Sequence, residues 1–268
     1  MKRLRVNDYD MAYVEVGQGR PLVCVHGSLG DFRTWSSMLG PLSARCRVIA
    51  LSLRHFFPER WDGVGGRYTI AQHVSDLIAF LGAMGAGPVD LMGHSRGAHL
   101  AFRVAQQRPE LLRKLILAEP GGELDTSLAP RGPNEDGSAR SRRVAIAAEK
   151  IAAGKIDEAL REFIDSLDGE GSWAASPFKQ HYRDNAQTLL GQINEQRGPF
   201  TRDDARSISV PTLLIGGEHT SGAFPVVLRA LASNIPGCKT AIIAGATHHM
   251  IKQQPERSCD AVLDFLAH

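Results

Sequence analysis

The stretch Val89-Asp90-Leu91-Met92-Gly93-His94-Ser95-Arg96-Gly97-Ala98-His99-Leu100-Ala101-Phe102 sets a short apolar run, a Gly-x-Ser-x-Gly pentapeptide and a helix-like pattern end to end. A strand that turns sharply into a helix needs residues without a Cβ on both sides of the bend, and Gly93 and Gly97 supply them. The turn lifts the Ser95 hydroxyl above the sheet. It also points the first unpaired amides of the helix, with the positive end of its dipole, at whatever Ser95 attacks. The pattern is that of a nucleophile elbow.

With these residues the sequence resembles the α/β-hydrolase family, and two more landmarks extend the resemblance. Pro21-Leu22-Val23-Cys24-Val25-His26-Gly27-Ser28-Leu29-Gly30 reads as a buried strand running into a His-Gly loop. The resemblance makes this loop half of an oxyanion hole. The backbone N–H groups of Ser28 and Arg96 would receive the negative oxygen of a tetrahedral intermediate, each contributing about 3 kcal/mol to the transition state. His26 would be structural. Near the C-terminus Thr240-Ala241-Ile242-Ile243-Ala244 reads as the last strand, followed by Gly245-Ala246-Thr247-His248-His249, where the family carries its catalytic histidine. Gln253-Gln254-Pro255-Glu256 opens the final helix as the family's Glu-Gln-Pro-Glu does, which aligns His248 with the catalytic position and assigns His249 to the loop wall. A serine hydroxyl needs such an imidazole because it is a poor nucleophile until a base takes its proton.

The third member of a triad departs from the family pattern. The family usually carries its acid after the seventh strand, in a Gly-x-x-Asp segment, but Thr212-Leu213-Leu214-Ile215 is followed here by Gly216-Gly217-Glu218-His219-Thr220. Thr220 stands at the aspartate position and cannot stabilise an imidazolium. Some relatives place the acid directly after the sixth strand, where this chain has Leu115-Ile116-Leu117-Ala118-Glu119-Pro120. Glu119 is therefore the expected acid. Glu218, a Ser-His dyad and an acid after Gly122 stay as alternatives, and the competing reading of Glu119 is a salt bridge to an arginine such as Arg54.

Strand-like runs at 11–16, 22–25, 47–51, 89–92, 115–118, 212–215 and 240–243 alternate, after the first two, with helical patterns. Short and mostly apolar, they suit a parallel sheet covered on both faces. Trp35, Met38, Leu39 and Leu42 recur at helical spacing, as do Val74, Leu77, Ile78 and Leu81. The second helix has a capping-box spacing at Thr69 and Gln72 and is stopped by Gly85, Gly87 and Pro88. The fold expected is an eight-stranded, mostly parallel sheet flanked by helices, with ligands at the carboxyl ends of the strands.

Between Pro120 and Pro211 the alternation stops. Residues 1–122 and 200–268 are expected to form the core, and 123–199 a helical cap inserted after the sixth strand. Residues 121–137, rich in Pro, Gly, Asp and Ser, read as a mobile entrance. Three amphipathic stripes follow: Val144, Ala147, Ala148 and Ile151; Ile156, Ala159, Leu160, Phe163, Ile164 and Leu167; Ala186, Leu189, Leu190 and Ile193. Trp173, Pro177, Phe178 and Tyr182 are candidates to line a pocket under this cap. After strand 47–51 the family tends to place Asp-x-Arg-Gly-x-Gly, whereas this chain reads Ser52-Leu53-Arg54-His55-Phe56-Phe57-Pro58, a bulkier loop expected to narrow the pocket. Arg54 and Arg96 are further expected to stand near its mouth and to bind a substrate carboxylate.

A net charge of +2 over 268 residues, without a basic run, excludes dedicated nucleic-acid binding. No uncharged run approaches the length of a membrane span. The protein is expected to be cytoplasmic, with a small-molecule substrate as its partner and a homodimer left open. Cys24, Cys46, Cys238 and Cys259 lack metal or redox spacing and read as free thiols. Neither metal nor cofactor is expected. The resemblance implies a serine hydrolase that cleaves a small ester through an acyl-enzyme. Carbon–carbon bond hydrolysis, perhydrolysis and a non-catalytic receptor on the same fold are the alternatives, and Ser95 itself disfavours the epoxide-hydrolase and dehalogenase chemistries, which need an aspartate there.

Overall fold

The computed structural model describes residues 1–65, 67–129 and 135–268. Among them, eight strands form one sheet: β1 (Lys2–Val6), β2 (Tyr9–Val16), β3 (Pro21–Val25), β4 (Arg47–Leu51), β5 (Val89–His94), β6 (Leu112–Ala118), β7 (Thr212–Gly217) and β8 (Lys239–Ile243). Their order is β1-β2-β4-β3-β5-β6-β7-β8. β1 pairs antiparallel with β2, and β2 with β4, while β3 to β8 run parallel. The central strands alternate between two cores. Val23, Val25, Leu91, Leu115, Leu117 and Leu214 face one; Leu22, Cys24, Met92, Ile116, Leu213 and Ile215 face the other. Successive side chains of a strand point to opposite faces, so a run apolar at every position needs helices on both.

Helices Ile70–Ala83, Arg96–Gln107 and Ala223–Ala232 cover the first face. Ser36–Ser43, Met250–Gln253 and Pro255–Ala267 cover the second. The Thr69 hydroxyl caps the Ile70–Ala83 helix by accepting the Gln72 N–H at 3.0 Å. Trp35 ends a 3-10 turn, Phe32–Trp35, rather than lying in the α-helix that follows. β1 is absent from the strand runs read in the sequence. Its Lys2-Arg3-Leu4-Arg5-Val6 carries the charges of an exposed sheet edge and hides the apolar alternation behind them.

Between β6 and β7 the chain leaves the sheet, and Leu124 and Phe200 pair in a parallel bridge at the two ends of the excursion. Residues 130–134 of the expected entrance lie outside the described residues, and its last positions belong to a helix, Glu135–Ala152. This helix packs with Ile156–Asp168, Ser172–Ala175, Lys179–Asp184 and Thr188–Gln192 around a third apolar cluster. The third stripe, 186–193, forms only the short helix Thr188–Gln192, with Ile193 half exposed. Among the described residues no helix is long and apolar enough to cross a membrane.

Candidate active site

Ser95 stands between the end of β5 and the helix Arg96–Gln107 with φ 54° and ψ −117°, a conformation that L-residues avoid. Backbone bonds hold it there. Its N–H donates to the Ala118 carbonyl at 2.9 Å, and its own carbonyl accepts from Ala98, His99 and Gly121 at 3.0, 3.2 and 3.0 Å. The flanking glycines are steric necessities. A Cβ on Gly97 would lie 2.3 Å from the Val25 carbonyl oxygen, and one on Gly93 would lie 2.3 Å from the Gly97 carbonyl oxygen.

Three strand ends deliver the polar groups to one place. The Ser95 hydroxyl lies 3.0 Å from His248 Nε2, and His248 Nδ1 lies 2.6 Å from Glu119 Oε2. A carboxylate can only accept, so Nδ1 carries the proton and Nε2 presents its lone pair to the serine. Glu119 is buried at the end of β6 with φ 43°. Its second oxygen, Oε1, accepts the Gly217 N–H of β7 at 2.8 Å. Phe224 stacks on the His248 ring, centroids 3.9 Å apart, and His94 Nε2 donates to the His248 carbonyl at 2.8 Å. Burial holds His94 neutral, far below the usual imidazole pKa, which suits that donor role.

The rival groups do not join this line, although His249 does stand in the cavity wall. His249 Nδ1 is bonded to Asp168 at the end of a helix in the insertion, and Thr247 Oγ1 donates to the same carboxylate at 2.6 Å. Glu218 is half exposed and accepts the Gly245 N–H at 2.8 Å. The Thr220 hydroxyl is buried without a hydrogen-bond partner among the described residues. His26 is buried, accepts the Leu53 N–H at Nε2 (3.0 Å) and has its pKa pushed down to about 4 by burial.

Beside Ser95 lies a cavity of about 160 Å3, of the order that holds one benzene-sized ring. Gly27, Ser28, Phe163, Leu167, Phe224 and His248 are among its walls. The Ser28 hydroxyl is tied to Gln192 Oε1 at 2.8 Å. The Arg96 N–H opens its helix, where no carbonyl four residues back lies within the helix to receive it.

Four expectations are corrected. Arg54 does not reach the cavity, because Nε and Nη2 pair with the Asp76 carboxylate at 2.8 and 3.0 Å and Nη2 also reaches Asp8 at 2.8 Å. Its loop, 52–58, likewise contributes nothing to the cavity wall and so does not narrow it. The Arg96 side chain is fully buried and turned away, with Nε 2.9 Å from Glu195 Oε1 and Nη2 donating to His73 Nδ1 at 2.7 Å. Trp173 packs in the apolar cluster of the insertion and not on the cavity, its indole buried near the Tyr182 ring, where apolar surface is withdrawn from water. Conversely, Arg140, Arg143 and Arg197 line the cavity and were not singled out in the sequence. The available signal was spacing: 140 and 143 continue the stripe Val144, Ala147, Ala148 and Ile151 on one helix face, where a guanidinium is out of place.

The sheet order, the elbow and the convergence of Ser95, His248 and Glu119 at its carboxyl edge define an α/β-hydrolase. Residues 22–261 match the Alpha/beta hydrolase family, and the chain belongs to it. It is similar to a soluble epoxide hydrolase of Corynebacterium sp. (23% identical over 98% of this chain and 95% of that protein). It is also similar to a pyrethroid hydrolase of Sphingobium wenxiniae (26% identical over 91% and 86%). The solved structure of a thermophilic esterase from Thermogutta terrifontis, with malate bound, aligns over 100% of this chain and 98% of that one, with 25% identity and a TM-score of 0.79. The protein is a hydrolase.

Proposed function

We propose that the protein is a serine esterase working through an acyl-enzyme. The carrying observation is the unbroken hydrogen-bonded line from Glu119 through His248 to Ser95 at the wall of the cavity. Ser95 Oγ attacks the ester carbonyl carbon while His248 Nε2 takes its proton, and the imidazolium formed is stabilised by Glu119. The carbonyl oxygen, now negative, is received by the N–H groups of Ser28 and Arg96. The tetrahedral intermediate collapses, the alcohol leaves with the proton from His248, and Ser95 keeps the acyl group. Water, deprotonated in turn by His248, then releases the acid. Similarity to an epoxide hydrolase does not bring that reaction with it, because an alkyl-enzyme ester needs a carboxylate nucleophile and position 95 is serine. Cys24, Cys46, Cys238 and Cys259 are unpaired, which supports a reducing, cytoplasmic compartment.

The test is labelling by a fluorophosphonate together with a screen of short-chain esters, thioesters, lactones and diketones. Labelling confined to Ser95, with ester turnover abolished in Ser95→Ala, is the expected result. A protein that neither reacts with the probe nor turns over any ester is a receptor on this fold.

A further inference from the structure

We propose that the cavity beside Ser95 selects esters or lactones bearing a free carboxylate, which Arg140 and Arg143 bind; this rests on the esterase reading above. The two arginines stand three residues apart on the helix Glu135–Ala152 and line the same cavity as Ser95 and His248. Arg140 Nε and Nη1 are shut off from solvent and have no hydrogen-bond partner among the described residues. Arg143 has no ion pair among them either. Arg140 is half-buried, and two guanidinium nitrogens held from water without an acceptor are costly, a cost that a ligand carboxylate entering the cavity would relieve.

The neighbouring carboxylates do not meet that need. Glu195 is shared by Arg96 (Nε–Oε1 2.9 Å) and Arg197 (Nε–Oε2 2.8 Å), so one anion already serves two cations. Glu123 lines the cavity but forms no ion pair with Arg140. Burial, and then the neighbouring Arg197, push Arg140 down to about 10, which leaves it charged at neutral pH and short of a counter-ion. The planar fork of arginine matches a carboxylate through two parallel bonds. Val144, Phe163, Ile164, Leu167 and Val227 supply apolar wall for the body of the molecule. The combination fits a small organic acid whose ester or lactone carbonyl reaches Ser95.

The experiment compares two matched pairs at low salt, with the carboxylate on the alcohol side (4-acetoxybenzoate against 4-acetoxybenzamide) and on the acyl side (monomethyl succinate against methyl succinamate). In the wild type the charged member of at least one pair should have the higher kcat/KM by about tenfold or more. That ratio should shrink as salt rises and collapse in R140Q/R143Q, with R143Q alone as a second, milder variant. Equal kcat/KM within both pairs, or a ratio unmoved by the double substitution, overturns the proposal. Hydrolysis of the neutral esters reports on the esterase reading separately. If no ester is turned over at all, calorimetric titration with 4-hydroxybenzoate and succinate decides. Binding to the wild type that weakens about tenfold in the double variant supports the site, and absence of binding of either acid overturns it.

Discussion

Glu119 directly follows β6 but is aimed by Gly217 of β7, whose N–H holds Oε1 at 2.8 Å while Oε2 faces His248. The strand end that carries the acid in many relatives here supplies a backbone donor to an acid one strand away. Thr220 at the usual aspartate position therefore removes nothing from the arrangement. Glu119→Gln should fold and lose about a thousandfold or more in kcat, as expected when an amide replaces the carboxylate that orients and stabilises the imidazolium. Glu218→Gln, altering a half-exposed group bonded to the Gly245 amide, should stay close to wild type. Steady-state kinetics on the two variants with one good ester would expose the reverse ranking.

Glu195→Gln should cost about 3–5 kcal/mol of stability. It leaves two guanidiniums, those of Arg96 and Arg197, without their shared charge in a site where the Arg96 and Glu195 side chains are wholly buried. Urea denaturation monitored by tryptophan fluorescence reads this directly, and a loss below about 1 kcal/mol, the level of a surface pair, would contradict it.

Gly97→Ala should destabilise the fold by about 3 kcal/mol, because the added methyl meets two strand carbonyl oxygens, of Val25 and His26, at 2.3 and 2.4 Å, and backbone cannot yield cheaply. Gly82→Ala is the control. Nothing lies within 4 Å of a Cβ there, near the end of the Ile70–Ala83 helix, so stability should rise by about 0.5–1 kcal/mol. Equal midpoints for the two variants would refute the steric account of the elbow.

Acid should unfold the protein early. His26, His73, His94 and His99 are buried and all have pKa values pressed below the usual imidazole range, chiefly by burial. The unfolded chain takes up protons at these rings near pH 6.5, whereas the native form binds them only at lower pH, near 4 for His26. Their contribution is therefore complete above about pH 6.5 and is lost as pH falls toward the native values, by up to about 1.4 kcal/mol per ring per pH unit. Denaturation midpoints measured at pH 7.5, 6.5 and 5.5 should fall mainly over the last step. A midpoint that held constant to pH 5.5 would mean that these rings are charged in the native state.

The parts of the site that could be read from sequence are those set by short-range constraints. Gly93 and Gly97 around Ser95, a carboxylate ending an apolar strand at Glu119, and His248 after the last strand are each recognisable within a dozen residues. Arg54 and Arg96 misled because their own segments carry no sign of Asp76 or Glu195, which fold topology brings to them from 22 and 99 residues away. Trp173 looked like pocket lining because its stretch is irregular, yet the short helices around it enclose a core of their own. Arg140 and Arg143 escaped notice inside the charged run Arg140-Ser141-Arg142-Arg143, where helix phase, and not composition, decides which side chains turn inward.

The residue that follows Ser95 is anchored by an ion pair to Glu195, within the insertion, and Arg33 links Asp31 of the core to Asp184 of the insertion at 2.7 and 2.8 Å. These bonds make the helical insertion a poor candidate for exchange as an independent module. A graft from a relative lacking a carboxylate at the place of Glu195 would strand the Arg96 guanidinium directly beside the nucleophile. Substitutions on the existing helices that keep Glu195 and Asp184 leave both ties intact, whereas exchange of the whole segment puts both at stake.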